Sequence, residues 1–433
     1  MLIVHAHHGG RLEDFICLQD IDGARVCEVT DFFEPAGRGV QHSSLRAANR
    51  RAVLTTIAFN PGISNADVSR RTGLAPQTAS AIVAELEEDG LLSRGDVLRG
   101  RRGQPATPLF LKLDAAYSIG IDVGWRHIDM VLVDLSAQPI ARYRRDFAYL
   151  DAHTIVDELV TGIRGLLEKL DAGQRDRLIG IGIASPTNIA RNIDDLGAPA
   201  EQAKLWKTLN LSAEVEKALG IPTMWFNDGN AACWAELVMM GQPRPANFAY
   251  LHIDSFLAAG LVAEHNLWEG PTGNSANLGS MLVCKPNGTR DFGHLIASIR
   301  ALELRLEAAG IALPSTDPLE WPWADWEPHV APWLTACGEA LAQIIMNTAA
   351  VLEFDLAIID GAMPRPLLER LLVETQLAIE NLPAMTFDRP RLKLGRLGHD
   401  AMPLGASFMP IFRKYFSRDL HDMASWELAP TQG

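Results

Sequence analysis

From Ser118 to Gly361 the chain alternates short, nearly uninterrupted apolar runs with longer stretches of helical spacing, and that alternation restricts the fold more than any other feature. The runs at 118–124, 127–135, 178–184, 223–227, 249–254, 258–263 and 356–361 read as strands, and Ile155 to Leu170 as a helix. The run Leu-Ile-Gly-Ile-Gly-Ile-Ala at 178–184 has no polar face, as expected of a strand buried on both sides. Such alternation means an α/β architecture. At 433 residues the chain has room for two or three domains.

Upstream the period changes. Leu45, Ala48, Ala52, Val53, Ile57 and Ala58 fall at helical spacing, and Asn-Pro-Gly at 60–62 stops the helix. Ser64 with Asp67 three residues on predicts a capped second helix through about Arg71, ending at Thr72–Gly73. Pro76 suits the first position of a third helix, to about Asp89–Gly90, with Ala79, Ile82, Val83 and Leu86 on one stripe. Gln77, Thr78 and Ser80 lie largely off that stripe. A short helix, a glycine turn and a second helix starting with small polar residues is the helix-turn-helix arrangement, whose second helix enters the major groove. Two strand-like stretches, from Leu91-Leu92 and at 109–113, flank Arg-Gly-Arg-Arg-Gly-Gln-Pro at 99–105, which predicts a basic wing for the minor groove. Expected DNA contacts are Arg50, Arg70, Pro76, Gln77, Thr78, Ser80, Arg99, Arg101, Arg102 and Gln104, with Arg46, Arg51 and Arg71 as further phosphate contacts.

The net charge of −14 argues against nucleic acid until it is divided. Ser43 to Lys112 holds ten Lys+Arg and six Asp+Glu, hence +4, and the remainder carries −18. A basic module on an acidic body binds DNA locally while its body discourages nonspecific association. Residues 1–42, with three basic and seven acidic side chains and no strong period, are expected to be an extension to a winged helix-turn-helix at 43–113. Residues 114–433 form the α/β domain. The five scattered cysteines include no C-x-x-C pair, so neither a disulfide framework nor a structural zinc site is expected. With no signal peptide evident and no apolar run of 18 residues, the expectation is a cytoplasmic protein with no membrane partner.

The motifs resemble those of the ROK family of repressors, open reading frames and kinases over about Leu45 to Phe412. They are Gly-Ile-Asp-Val-Gly at 120–124, Trp206 before Leu-Asn-Leu, Asn-Asp-Gly-Asn-Ala-Ala at 227–232, Gly-Asn-Ser-Ala-Asn-Leu-Gly-Ser-Met at 273–281 and Leu-Gly-Ala-Ser at 404–407. The resemblance implies the two-lobed fold of sugar kinases and actin, with a ligand cleft between lobes. It implies either a sugar kinase or, with a winged helix in front, a sugar-responsive repressor.

The sequence departs from the kinase members at both phosphate-binding turns. Where those read Asp-x-Gly-Gly-Thr, this chain has Asp122, Val123, Gly124, Trp125 and Arg126. The second, glycine-rich turn is replaced by Asp254, Ser255, Phe256, Leu257, Ala258, Ala259 and Gly260. Backbone cradles for phosphate need glycine, so no phosphoryl transfer and no nucleotide cofactor is expected, although Asp228 matches the family's catalytic base. The resemblance places ligand contacts at Asn227, Asp228, Asn277, Ser280 and His294. Ser280 stands at the family's zinc-binding His, and its cysteine loop is reduced to 289–292, so no metal is expected. The resulting expectation is a homodimeric or homotetrameric repressor of a roughly palindromic operator, governed by a carbohydrate-like effector. A sugar kinase with a DNA-binding head and a ligand-independent DNA-binding scaffold are the alternatives.

Overall fold

The structure, a computed structural model, describes residues 42–96, 107–187, 189–383, 386–420 and 423. Residues 48–433 belong to one compact unit. Three helices open the described chain: α1 (His42–Ala58), α2 (Asn65–Thr72) and α3 (Pro76–Glu88). The Ser64 side chain accepts from the Asp67 backbone N–H and donates to its carboxylate, closing the expected cap. Gly73 ends α2 at φ +68°, where a Cβ would be strained. Val53, Leu54, Ile57, Val68, Ile82, Val83 and Leu86 form the core of this head, whereas Leu45, expected on the apolar stripe, is exposed. Strands β1 (Leu92–Arg94) and β2 (Leu109–Leu111) pair antiparallel as the base of the wing. The expected tip, with Arg99, Arg101, Arg102 and Gln104, lies outside the described residues, as does the extension before residue 42.

Lobe I contains β3 (Tyr117–Val123), β4 (His127–Asp134), β5 (Pro139–Asp146), α4 (Ile155–Leu167), α5 (Ala172–Arg175), β6 (Leu178–Ser185), α6 (Ile189–Asn192), α7 (Ala200–Thr208), α8 (Leu211–Leu219) and β7 (Thr223–Asn227). Its sheet runs β5-β4-β3-β6-β7, with the first three strands antiparallel and β3, β6 and β7 parallel. Helix α9 (Asp228–Met239) leads to lobe II: β8 (Phe248–Ile253), β9 (Leu257–Ala263), β10 (Asn266–Leu267), the hairpin β11 (Leu282–Cys284) and β12 (Arg290–Phe292), α10 (Ile299–Ala308), α11 (Glu327–Leu352), β13 (Leu356–Gly361), α12 (Arg365–Asn381) and β14 (Arg391–Leu394). The lobe II sheet, β10-β9-β8-β13-β14, repeats the order and strand directions of lobe I. The last helix, α13 (Ala401–Tyr415), returns to pack on β3 and β6 of lobe I.

The strands and the early helix stand where the apolar pattern puts them. Trp323–Leu352 is long and apolar enough to cross a membrane by length and composition alone. Here its residues fill the lobe II core, with Trp333, Leu334, Leu341, Ile344 and Ile345 almost fully buried.

Candidate functional site

In an α/β sheet with this strand order, ligands bind beyond the carboxyl ends of the parallel strands. Lobe I brings Asp122 there at the end of β3, and lobe II brings Asp254 after β8. Behind Asp122 the chain turns tightly, and the Gly124 amide donates to the His127 carbonyl at 3.0 Å. This folds the His127 ring back over the turn, where its Nε2 meets Asp122 Oδ2 at 2.9 Å. A Cβ on Gly124 would lie 2.4 Å from that ring. Burial alone would lower the His127 pKa, but the hydrogen bond and charge of Asp122, with the charge of Asp254, raise it to about 9.

The two turns touch one another. Trp125, buried, packs edge-on against Phe256 with ring centroids 4.7 Å apart, and Phe256 packs edge-on against His294 at 5.9 Å. Carbonyls of the second turn are already engaged, since Asp254 O and Ser255 O accept from Ile299 and Arg300 at the start of α10. Ion pairs also join the lobes: Arg126 reaches Glu303 at 3.4 Å, and Arg144 of β5 reaches Asp317 at 3.7 Å. Glu303 also accepts from Arg300 at 2.8 Å. Between these groups lies a cavity of about 20 Å³, room for a single water.

The expected ligand-contact residues fall into two groups. Asn227 caps α9 through its Oδ1, and its Nδ2 donates to Thr187 Oγ1 at 3.0 Å; Thr187 in turn donates to Asn274 Oδ1 at 2.7 Å. Asp228 follows with one carboxyl oxygen on the Gly229 amide at 2.7 Å. Burial first, then the charges of Asp122 and Asp254, push its pKa up to about 7. In the second group Ser280 donates to Asn277 Oδ1 at 3.0 Å, and His294 Nδ1 donates to Gly279 O at 2.9 Å. That bond leaves the Nε2 of a neutral His294 as an acceptor. The groups are linked through Asn274, which lies on the same segment as Asn277. Thr187, Asn230 and Asn274 were not singled out from sequence, although the last two sit inside the quoted motifs; Asn230 Nδ2 donates to Gly273 O at 3.0 Å.

Ser280 and the β11–β12 hairpin stand where the resemblance would have placed zinc ligands, and the described residues contain no group of three His, Cys, Asp or Glu able to hold a metal. The residues present do not fit zinc.

In the head, Pro76, Gln77, Thr78 and Ser80 are exposed along one side of α3, with Ser80 Oγ accepting from Asn65 Nδ2 at 3.0 Å. Two arginines expected on phosphate are engaged internally: Arg50 with Asp89 and with Glu85 (3.7 Å), and Arg70 with Asp67.

Residues 118–409 match the ROK family model, and residues 46–93 match the model for winged helix-turn-helix DNA-binding. The chain belongs to the ROK family. Among ROK relatives, the xylose repressor of Bacillus spizizenii is 28% identical over 267 residues, 60% of this chain and 67% of that one. An N-acetylmannosamine kinase of Vibrio vulnificus is 27% identical over 270 residues, 60% of this chain and 85% of that one. A crystal structure of a ROK family transcriptional regulator, a homologue of the E. coli MLC protein, superposes with a TM-score of 0.63 at 22% identity, covering 87% of this chain and 98% of that one. The fold is thus that of ROK proteins carrying a DNA-binding head.

Proposed function

We propose that this ROK protein is a DNA-binding transcriptional repressor that responds to a carbohydrate-like ligand in the interlobe cleft and transfers no phosphoryl group. The observation that carries the reading is the state of the two turns. Trp125 and Phe256 pack on each other, and His127 lies where the approach of a phosphate would need open backbone amides. Phosphoryl transfer depends on positioning and charge stabilisation, and three carboxylates (Asp122, Asp228 and Asp254) face the place where a triphosphate would add more negative charge. Asp228, the position of the family's catalytic base, is then a ligand contact.

The domains of this reading are an extension at 1–42, a winged head at 43–113 and a ligand-sensing domain at 114–433. Asn227 and Asp228 in one group, and Asn277, Ser280 and His294 in the other, supply amide, carboxyl, hydroxyl and imidazole groups suited to sugar hydroxyls. Pro76, Gln77, Thr78 and Ser80 face base edges, while Arg99, Arg101, Arg102 and Gln104 serve the backbone and minor groove; Arg50 and Arg70 reach phosphate only by exchanging their internal partners Asp89 and Asp67 for it. A homodimer or homotetramer places two heads about one DNA turn apart on a palindromic operator, in the cytoplasm.

The test is a thermal melt with D-xylose, other pentoses, hexoses, amino sugars, polyols and, separately, Mg-ATP. A compound that raises Tm by binding the native state in the wild type, and not in Asp228→Ala, supports the site. Stabilisation by Mg-ATP with turnover of a sugar would overturn the reading.

A further inference from the structure

Two helices run between the cleft and the head. Helix α9 starts at Asp228 and spans 12 residues, about 18 Å at the usual helical rise. Helix α13 starts beside Asp400, which pairs with Arg142 of lobe I, and spans 15 residues, about 22 Å. Each is pressed against a different lobe with no side chain between. A Cβ on Gly229 of α9 would lie 2.1 Å from Ala259 O of the lobe II strand β9. A Cβ on Gly120 or Gly182 of lobe I would lie 1.9 or 2.0 Å from carbonyls of α13. The helices meet where a Cβ on Gly405 would lie 1.9 Å from Ala231 O. Interfaces packed this closely transmit displacement rather than absorb it.

At the far ends, one side chain gathers everything. Arg244, only 5% exposed, donates through Nε to Leu237 O (3.2 Å) and through Nη2 to Val238 O (3.3 Å), the last turn of α9. Its Nη1 donates to Leu420 O at 3.0 Å and to Met423 O, in the segment after α13. The same guanidinium lies 5.5 Å from the ring centroid of Phe59, at the end of α1. Beside it the Ser417 amide donates to Thr55 Oγ1 at 2.7 Å. A cation suits helix C-terminal carbonyls, yet an apolar side chain would fill this interior with less desolvation.

We propose that Arg244 is the coupling residue of the molecule, transmitting the relative position of the two lobes, through the ends of α9 and α13, to the last turn of α1. The proposal gives the repressor reading its route from cleft to head, but its test needs neither ligand nor DNA.

The experiment is a double-mutant cycle read by amide hydrogen exchange of residues 48–59 in the full chain. Asp228→Asn perturbs the cleft end of α9, and Arg244→Gln removes the guanidinium while keeping a polar side chain. Sites this far apart normally act additively. The expected result is that Asp228→Asn changes exchange in 48–59 by about threefold or more, and that in the Arg244→Gln background the change all but disappears. Should Arg244→Gln fail to fold, Phe59→Leu, which removes the ring and spares the Arg244 hydrogen bonds to Leu237, Val238, Leu420 and Met423, must show the same loss. The proposal is overturned if Asp228→Asn leaves 48–59 unchanged, or if its effect is equally large in both backgrounds, as a purely structural arginine would give. A protein that passes this cycle yet captures no duplex sinks the repressor reading and leaves the coupling intact.

Discussion

The His127 imidazole is folded back onto Asp122, Nε2 to Oδ2 at 2.9 Å, across the turn that follows β3. Because its native pKa of about 9 stands above the ordinary 6.5, the native state holds more protons than the unfolded chain between those values. Its contribution to stability is complete below pH 6.5 and is lost as the pH rises through 9. Thermal melts of wild type and His127→Gln from pH 6 to 10 should therefore converge as the solution becomes alkaline. A Tm difference independent of pH would contradict the buried, charged imidazole.

Glu303 is the acceptor shared by Arg126 from lobe I and Arg300 from its own helix, and it is 4% exposed. Removing one partner of a buried pair leaves uncompensated charge, at a cost of about 3–5 kcal/mol. Glu303→Gln should lower the denaturation midpoint accordingly, far more than Glu214→Gln at the exposed Lys217 pair, worth at most about 1 kcal/mol. Equal effects of the two variants would show that the lobes are not held together here.

Gln77 stands exposed at the start of α3, one residue after Pro76. If α3 reads the major groove, Gln77→Ala should cost about 1–3 kcal/mol against the preferred duplex and relax selection at one base pair. Arg101→Ala should instead weaken all duplexes alike and flatten the salt dependence by about one unit. Competition between preferred and scrambled duplexes separates the two behaviours.

The head was legible because its signals are local. Ser64, Asp67, Gly73 and Pro76 each fix backbone within a few residues, and the structure uses all four as caps or turns. The buried strands were legible for the same reason, as β6 shows with six buried residues in eight. What could not be read depends on distant partners. The edge strand β5 is arginine-rich, and its Arg144 acquires meaning only beside Asp129, Asp146 and Asp317. Helix α11 carries Pro332 near its start, and past it only a narrow polar stripe through Thr335, Glu339, Gln343 and Asn347 is left unburied, so most of its length reads as apolar core. At the site, Asn227 and Asp228 were marked by their motif. Arg126 was noted only as a misfit in a turn, because its partner Glu303 lies far along the chain. Arg244 had no motif at all, and its role emerges only where α1, α9 and the segment after α13 converge.

The most direct test of the central claim is binding of the full protein to duplexes it selects from a random-sequence library, titrated at two salt concentrations with and without the carbohydrates above. The account predicts tight, salt-sensitive capture of a roughly palindromic duplex, with an affinity that one carbohydrate shifts and Mg-ATP does not. Selection of no sequence over random DNA, in every condition, would contradict it.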